Sequence, residues 1–190
     1  MRTITFYAFI ASLSISYLSC QQQAPKEVAK SQVEVDQPSI DDRLVELGIQ
    51  LPEVSPPQAN YVNAVTTAGK LVFMAGKGPR KADGEYIKGK VGKDLSIEEG
   101  YEAAKLVAIN QLAALKAEIG DLNRVKRVVK VLGMVNAMPE FENHPEVING
   151  FSDLIVEVFG EKGKHARAAV GMVSLPRNIA VEIEMIVELE

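Results

Sequence analysis

Arg167 stands apart from the other ionisable residues because of its surroundings. It belongs to His165-Ala166-Arg167-Ala168-Ala169-Val170-Gly171-Met172-Val173-Ser174-Leu175-Pro176, a stretch of mostly small and apolar residues. A guanidinium in such a strand is costly unless it finds a partner. Its planar fork matches a carboxylate with two parallel donors, so capture of a small carboxylic acid is the chemistry this residue suits best. Other reactive arrangements are scarce. The 2 histidines, His144 and His165, lie apart and cannot supply a multi-histidine zinc site, so no metal and no cofactor is expected. Gly76-Lys77-Gly78 lacks the spacing and following helix of a phosphate loop and reads as a turn. Arg124, Lys126, Arg127 and Lys130 could meet phosphates, but charge of this kind ordinarily lines a solvated strand edge.

The elements that must hold Arg167 follow from composition and pattern. A chain of 190 residues, 47% hydrophobic and 24% charged, is long enough for one domain with an ordinary core and a short appendage. With 21 Lys+Arg against 25 Asp+Glu the net charge is -4, which gives no general attraction to nucleic acid, and no nucleic-acid partner is expected.

Asp41 to Gly48 has acids at its start and glycine at its stop, the pattern of a short helix. Tyr61–Val65 and Leu71–Met74 read as strands joined by the turn Thr67-Ala68-Gly69-Lys70. Glycines punctuate a loop from Gly76 to about Lys93. Ser96-Ile97-Glu98-Glu99 is a capping box, and Tyr101, Ala104, Val107, Ala108, Leu112 and Leu115 then recur at helical spacing up to Gly120. Val125–Val135 reads as a strand, Pro145–Phe159 as a second helix and Ala166–Val173 as Arg167's own strand. Ile179–Leu189 alternates apolar and acidic residues, marking a half-buried strand that carries Glu182, Glu184 and Glu188 on one face.

The order hairpin, helix, strand, helix, hairpin predicts an α+β fold: one sheet with two helices packed on one face. The sheet's other face carries many apolar residues and calls for cover, most simply by self-association.

The N-terminus has a separate logic. Met1-Arg2 precedes an apolar run from Thr3 to Leu18, then Ser19-Cys20-Gln21, and Cys20 is the only cysteine. This predicts an export signal over residues 1–19, the run being short for a membrane span of about 20 residues. Cys20 directly after the cut resembles the lipidated residue of bacterial lipoproteins, although Tyr17 stands where that pattern prefers Leu. A plain signal peptide or an uncleaved anchor are the other readings. Gln21 does not resemble the Asp that marks inner-membrane retention, so the expected address is the periplasmic side of the outer membrane, through the lipid anchor alone. Residues 20–40, rich in Gln, Lys, Glu, Pro and Ser, read as a flexible tether to a domain at 41–190.

Across that domain the sequence resembles the RidA/YjgF (endoribonuclease L-PSP) family, and within it the YjgF/chorismate mutase-like subgroup. Ala166-Arg167, Val170, Leu175-Pro176 and Val181-Glu182-Ile183-Glu184 match its hallmark strands. Asn60-Tyr61-Val62, Met74-Ala75-Gly76-Lys77-Gly78-Pro79 and Asn149 match weaker segments, with Lys77 in place of the usual Gln and His165 in place of a Pro. The resemblance implies a chorismate mutase-like fold, a homotrimer and clefts between subunits. By resemblance, Arg167 binds the carboxylate of a 2-enamine or 2-imine acid, and Glu182 positions the water that yields a 2-keto acid and ammonia. By the same resemblance Tyr61, Gly76 and Asn149 line the cleft. A non-catalytic trimer binding small carboxylates in those clefts is the alternative. An endoribonuclease fits less well with the acidity and the lack of a histidine pair.

Overall fold

The computed structural model describes residues 38–190. The export signal, Cys20 and the tether up to residue 37 lie outside the described residues. Among the described residues no helix is long and apolar enough to cross a membrane.

Helix α1 (Ile40–Glu46) opens on a capping box: the Ser39 hydroxyl accepts from the Asp42 amide, and the Asp42 carboxylate takes the Ser39 amide. A hairpin follows, β1 (Ala64–Thr66) and β2 (Leu71–Lys77). The Thr67 amide bonds the Leu71 carbonyl, and Lys70 carries the positive φ of the turn. Helix α2 (Ile97–Ile119) begins with the predicted Ser96–Glu99 capping box and ends at Gly120, whose φ of 82° suits glycine. The rest is β3 (Val125–Asn136), α3 (His144–Phe159), β4 (Ala166–Met172) and β5 (Val181–Leu189).

The strands form one mixed five-stranded sheet in the order β1-β2-β5-β3-β4, in which only the β3–β4 pair is parallel. Strand alternation sorts the side chains of β5: Val181, Ile183, Met185, Val187 and Leu189 are buried. They join Val72, Met74, Val128, Val131 and Val135 beneath Val107, Leu112 and Leu115 of α2 and Ile148, Phe151 and Ile155 of α3. Each such fully buried aliphatic side chain contributes about 1.5–3 kcal/mol relative to exposure. The two long helices cross closely where Gly150 of α3 lies against the backbone of Tyr101 in α2, a place with no room for a Cβ. Gly133 makes the same accommodation under Ile148, letting α3 settle on β3.

Three expectations change. The final pair is not a hairpin: β4 runs beside β3 at the sheet's edge, and β5 inserts between β2 and β3. The residues between β4 and β5 include Arg177 and Asn178 at positive φ and carry the chain across β3 rather than back along β4. The first strand begins at Ala64 rather than Tyr61, because the Tyr61 amide turns to the Ala59 carbonyl and Asn63 donates its side-chain amide to Ser55. Gly76-Lys77-Gly78 is not a turn. Gly76 and Lys77 close β2 after an irregularity in its pairing with β5, between Met74 and Lys77.

Candidate functional site

Arg167 lies on β4 opposite Val131, in the row that continues to the buried Met185, and so it faces α3. There its Nη1 donates to Asn149 Oδ1 at 2.9 Å and to Ser152 Oγ at 3.0 Å. Asn149 and Ser152 stand three residues apart on α3, one above the other on the same helix face. His165 completes the group. The Gly163 carbonyl, 2.7 Å from Nδ1, accepts that proton, leaving Nε2 to accept the Ser152 hydroxyl at 3.1 Å. Burial, with the Arg167 charge acting the same way, holds the imidazole below its usual pKa against the opposing bond to Gly163. Neutral His165 therefore orients Ser152, and Ser152 helps orient Arg167. Among the described residues Arg167 has no acidic partner, so its fork is positioned by neutral groups. It opens on a cavity of about 260 Å³ with Ser152, Val156, Lys164 and His165.

Glu182 occupies a different place. Its neighbours Val181 and Ile183 are buried against the helices, so alternation turns Glu182 away from them. Its carboxylate fits against Gly76, which has no side chain to displace it. Burial raises the Glu182 carboxyl above the ordinary range, and Glu184 adds to the shift. Gln111, fully buried on α2, bonds the carbonyls of Ala75 at 3.0 Å and Ile183 at 2.7 Å, tying the end of β2 to β5 on either side of this contact. Glu182, Gly76 and Tyr61 line one cavity of about 390 Å³ with Asn63, Lys77 and Arg177.

The predicted residues thus fall into two groups. Arg167 and Asn149 are in direct contact; Tyr61, Gly76 and Glu182 share the second cavity, and the two cavities have no lining residue in common. Ser152 and the bonded role of His165 do not stand out in the sequence. The three-residue spacing from Asn149 to Ser152 was the available signal for the first. Two members of the basic run are engaged internally: Arg124 bonds the Ile119 carbonyl, and Lys126 pairs with Glu188 at 2.6 Å. Among the described residues no three His, Cys, Asp or Glu side chains gather closely enough to hold a metal.

This geometry can be set beside known proteins. The family described as YjgF/chorismate mutase-like, putative endoribonuclease matches residues 41–189. The chain belongs to the RidA/YjgF family. Protein TCP17 of Trypanosoma cruzi is similar to it, 44% identical over 147 residues that cover 77% of this chain and 91% of TCP17. Of solved structures, Atu1372 from Agrobacterium tumefaciens, of unknown function, is 46% identical with a TM-score of 0.73, covering 80% of this chain and 94% of Atu1372. A putative endoribonuclease from Shewanella oneidensis MR-1 is 32% identical with a TM-score of 0.76, covering 80% of this chain and 100% of that one. The mixed sheet with its helices is accordingly the chorismate mutase-like RidA fold.

Proposed function

We propose that this RidA/YjgF domain hydrolyses small 2-enamine or 2-imine carboxylic acids in clefts between three copies of the chain. In this reading Arg167 and Asn149 of one copy face Tyr61, Gly76 and Glu182 of the next. The observation that carries it is the Arg167 fork, held by Asn149 and Ser152 with no carboxylate of its own among the described residues. A pre-positioned guanidinium offers an incoming carboxylate a bidentate partner at little cost in ordering.

The chemistry then needs one water. Its oxygen attacks C2 of the imine tautomer and forms the C–O bond. Glu182 takes a proton from it and gives one to the nitrogen, which forms the carbinolamine; it then takes the hydroxyl proton and passes it to the amine as the C–N bond breaks, and the products are the 2-keto acid and ammonia. A carboxyl pushed up by burial exchanges protons nearer neutral pH than an ordinary one, which suits this double duty. Assembly is supported by the sheet's uncovered face, where Val65 is 54%, Phe73 44% and Val170 40% exposed.

A coupled assay that generates 2-aminoacrylate and follows pyruvate tests the reading. Wild-type protein should release pyruvate well above the spontaneous rate and Arg167→Ala should not; equal rates would end it. Sedimentation should give a trimer for residues 38–190, and Phe73→Glu should dissociate it with loss of turnover. Lys77, standing at the Glu182 cavity where the family usually has Gln, favours a second reading, a trimer that binds small carboxylates in the same clefts without turnover. Binding abolished by Arg167→Ala, with no pyruvate formed, would select it. Salt-sensitive RNA cleavage by purified protein would select the endoribonuclease. We also propose that Cys20 anchors the domain to the periplasmic face of the outer membrane. Incorporation of labelled palmitate by wild type but not Cys20→Ala checks this.

A further inference from the structure

We propose that the acid bound by this protein carries a second anionic group, held in the Glu182 cavity by Arg80 and Arg177 with help from Lys77; this rests on the carboxylate anchor at Arg167 proposed above. The cavity, at about 390 Å³, falls within the ~300–1,000 Å³ range of pockets that enclose much larger molecules than a three-carbon acid. Its charge is unequally matched. Lys77, Arg80 and Arg177 line it together with the acids Glu53 and Glu182; burial shifts both Glu182 and Lys77 toward their neutral forms, so the uncompensated charge rests on the two arginines.

None of the three cations has an ion-pair partner among the described residues. Lys77 is half-buried, and its ammonium bonds only the neutral side-chain oxygen of Asn63. Cations left unneutralised in a partly desolvated cavity favour an anion from outside.

Both arginines rise from backbone that is held in place. Arg177 and Asn178 adopt φ of 56° and 59°, the left-handed region that asparagine tolerates and arginine rarely takes. The strain is maintained by buried Asn136, whose amide donates to Asn178 Oδ1 at 2.9 Å, and by the Gly89 amide on the Asn178 carbonyl at 2.9 Å. The Arg80 carbonyl accepts from Asn110 at 3.1 Å. Its guanidinium lies over Gly84, where a Cβ would come within 3.1 Å of Nη2. Two arginines on fixed backbone at the rim of one cavity, their planar forks without partners among the described residues, suit the oxygens of a carboxylate or a phosphoryl group. A monocarboxylate such as 2-aminoacrylate would leave both idle.

Calorimetry on the full domain with stable keto-acid probes tests this. The probes are 2-oxobutyrate with one anion, 2-oxoglutarate with a second carboxylate, and phosphonopyruvate with a phosphonate. Wild type should bind one of the two-anion acids at least tenfold more tightly than 2-oxobutyrate, and which one identifies the second group. Arg80→Gln combined with Arg177→Gln should reduce that preference at least fivefold, with an unchanged melting temperature as the control for folding. Arg167→Ala should weaken all three acids. If 2-oxobutyrate binds through Arg167 but neither larger acid gains, the second anion site is overturned and the anchor stands. If the double variant leaves the preference intact, the site is likewise overturned. If no acid binds, or Arg167→Ala changes nothing, the anchor and the second site fall together.

Discussion

Gly76 and Glu182 are in contact across the β2–β5 pair, the glycine occupying the place where any Cβ would run into the carboxylate. Gly76→Ala therefore moves the Glu182 carboxyl rather than unfolding the sheet, because the obstructed group is the end of a flexible side chain. Turnover of 2-aminoacrylate should fall at least tenfold while 2-oxobutyrate affinity, measured by calorimetry, changes less than threefold.

Asn149→Ala removes one of the two acceptors that aim Arg167. A hydrogen bond to a charged group is worth about 1.5–3 kcal/mol, though Ser152 remains as a second support. Keto-acid binding should weaken about tenfold, with the KM of the deaminase reaction rising in step. An unchanged affinity would mean that Arg167 does not depend on α3 for its aim.

His165 makes stability depend on pH with a definite sign. Its folded-state pKa lies below the ordinary 6.5, chiefly through burial, so the unfolded chain binds more protons as the pH drops through that region. Stability should be complete above about pH 6.5 and decline as pH falls toward and through the folded pKa. Denaturant midpoints measured between pH 5 and 7 should show this slope in wild type and lose it in His165→Gln. Glu182 acts oppositely. Its raised pKa adds stability below the ordinary 4.5, and that contribution is lost as pH rises through the folded value.

Gly150→Ala tests the packing beneath the site. The added methyl would meet the Tyr101 carbonyl, a backbone group that cannot swing aside. Forcing α2 and α3 apart should cost about 3 kcal/mol, at the upper end for overpacked cores. A urea titration reads this directly, and a loss below 0.5 kcal/mol would show that the helices part freely.

The long helices and the alternating last strand were legible because their signals are local: a capping box, a terminal glycine, a period of two. Strand order was not. Nothing in Ala166–Met172 or Val181–Leu189 announces that β5 enters between β2 and β3, since that choice depends on contacts across the whole sheet. The same division holds at the site. Arg167 drew notice as a charge among small residues, whereas His165 looked unremarkable beside it. Its role comes from Ser152, thirteen positions earlier and brought near by the β3–α3–β4 crossover. Lys77 departs from the expected turn for a related reason: glycines on both sides read as a turn, but pairing with Ile183 draws it into β2.

The position of β5 also bears on how the chain acquires its structure. Of the five strands it is the last to be synthesised, yet β2 and β3 share no neighbour without it. Before it arrives, a growing polypeptide holds two apolar strand edges open, the kind of exposure that invites aggregation. Its docking closes both edges, brings the Ile183 carbonyl to Gln111 and carries Glu182 to Gly76. Nascent chains that have not yet inserted β5 would lack both a finished sheet and the Glu182 cavity, so folding and ligand competence are gained in one late, long-range step.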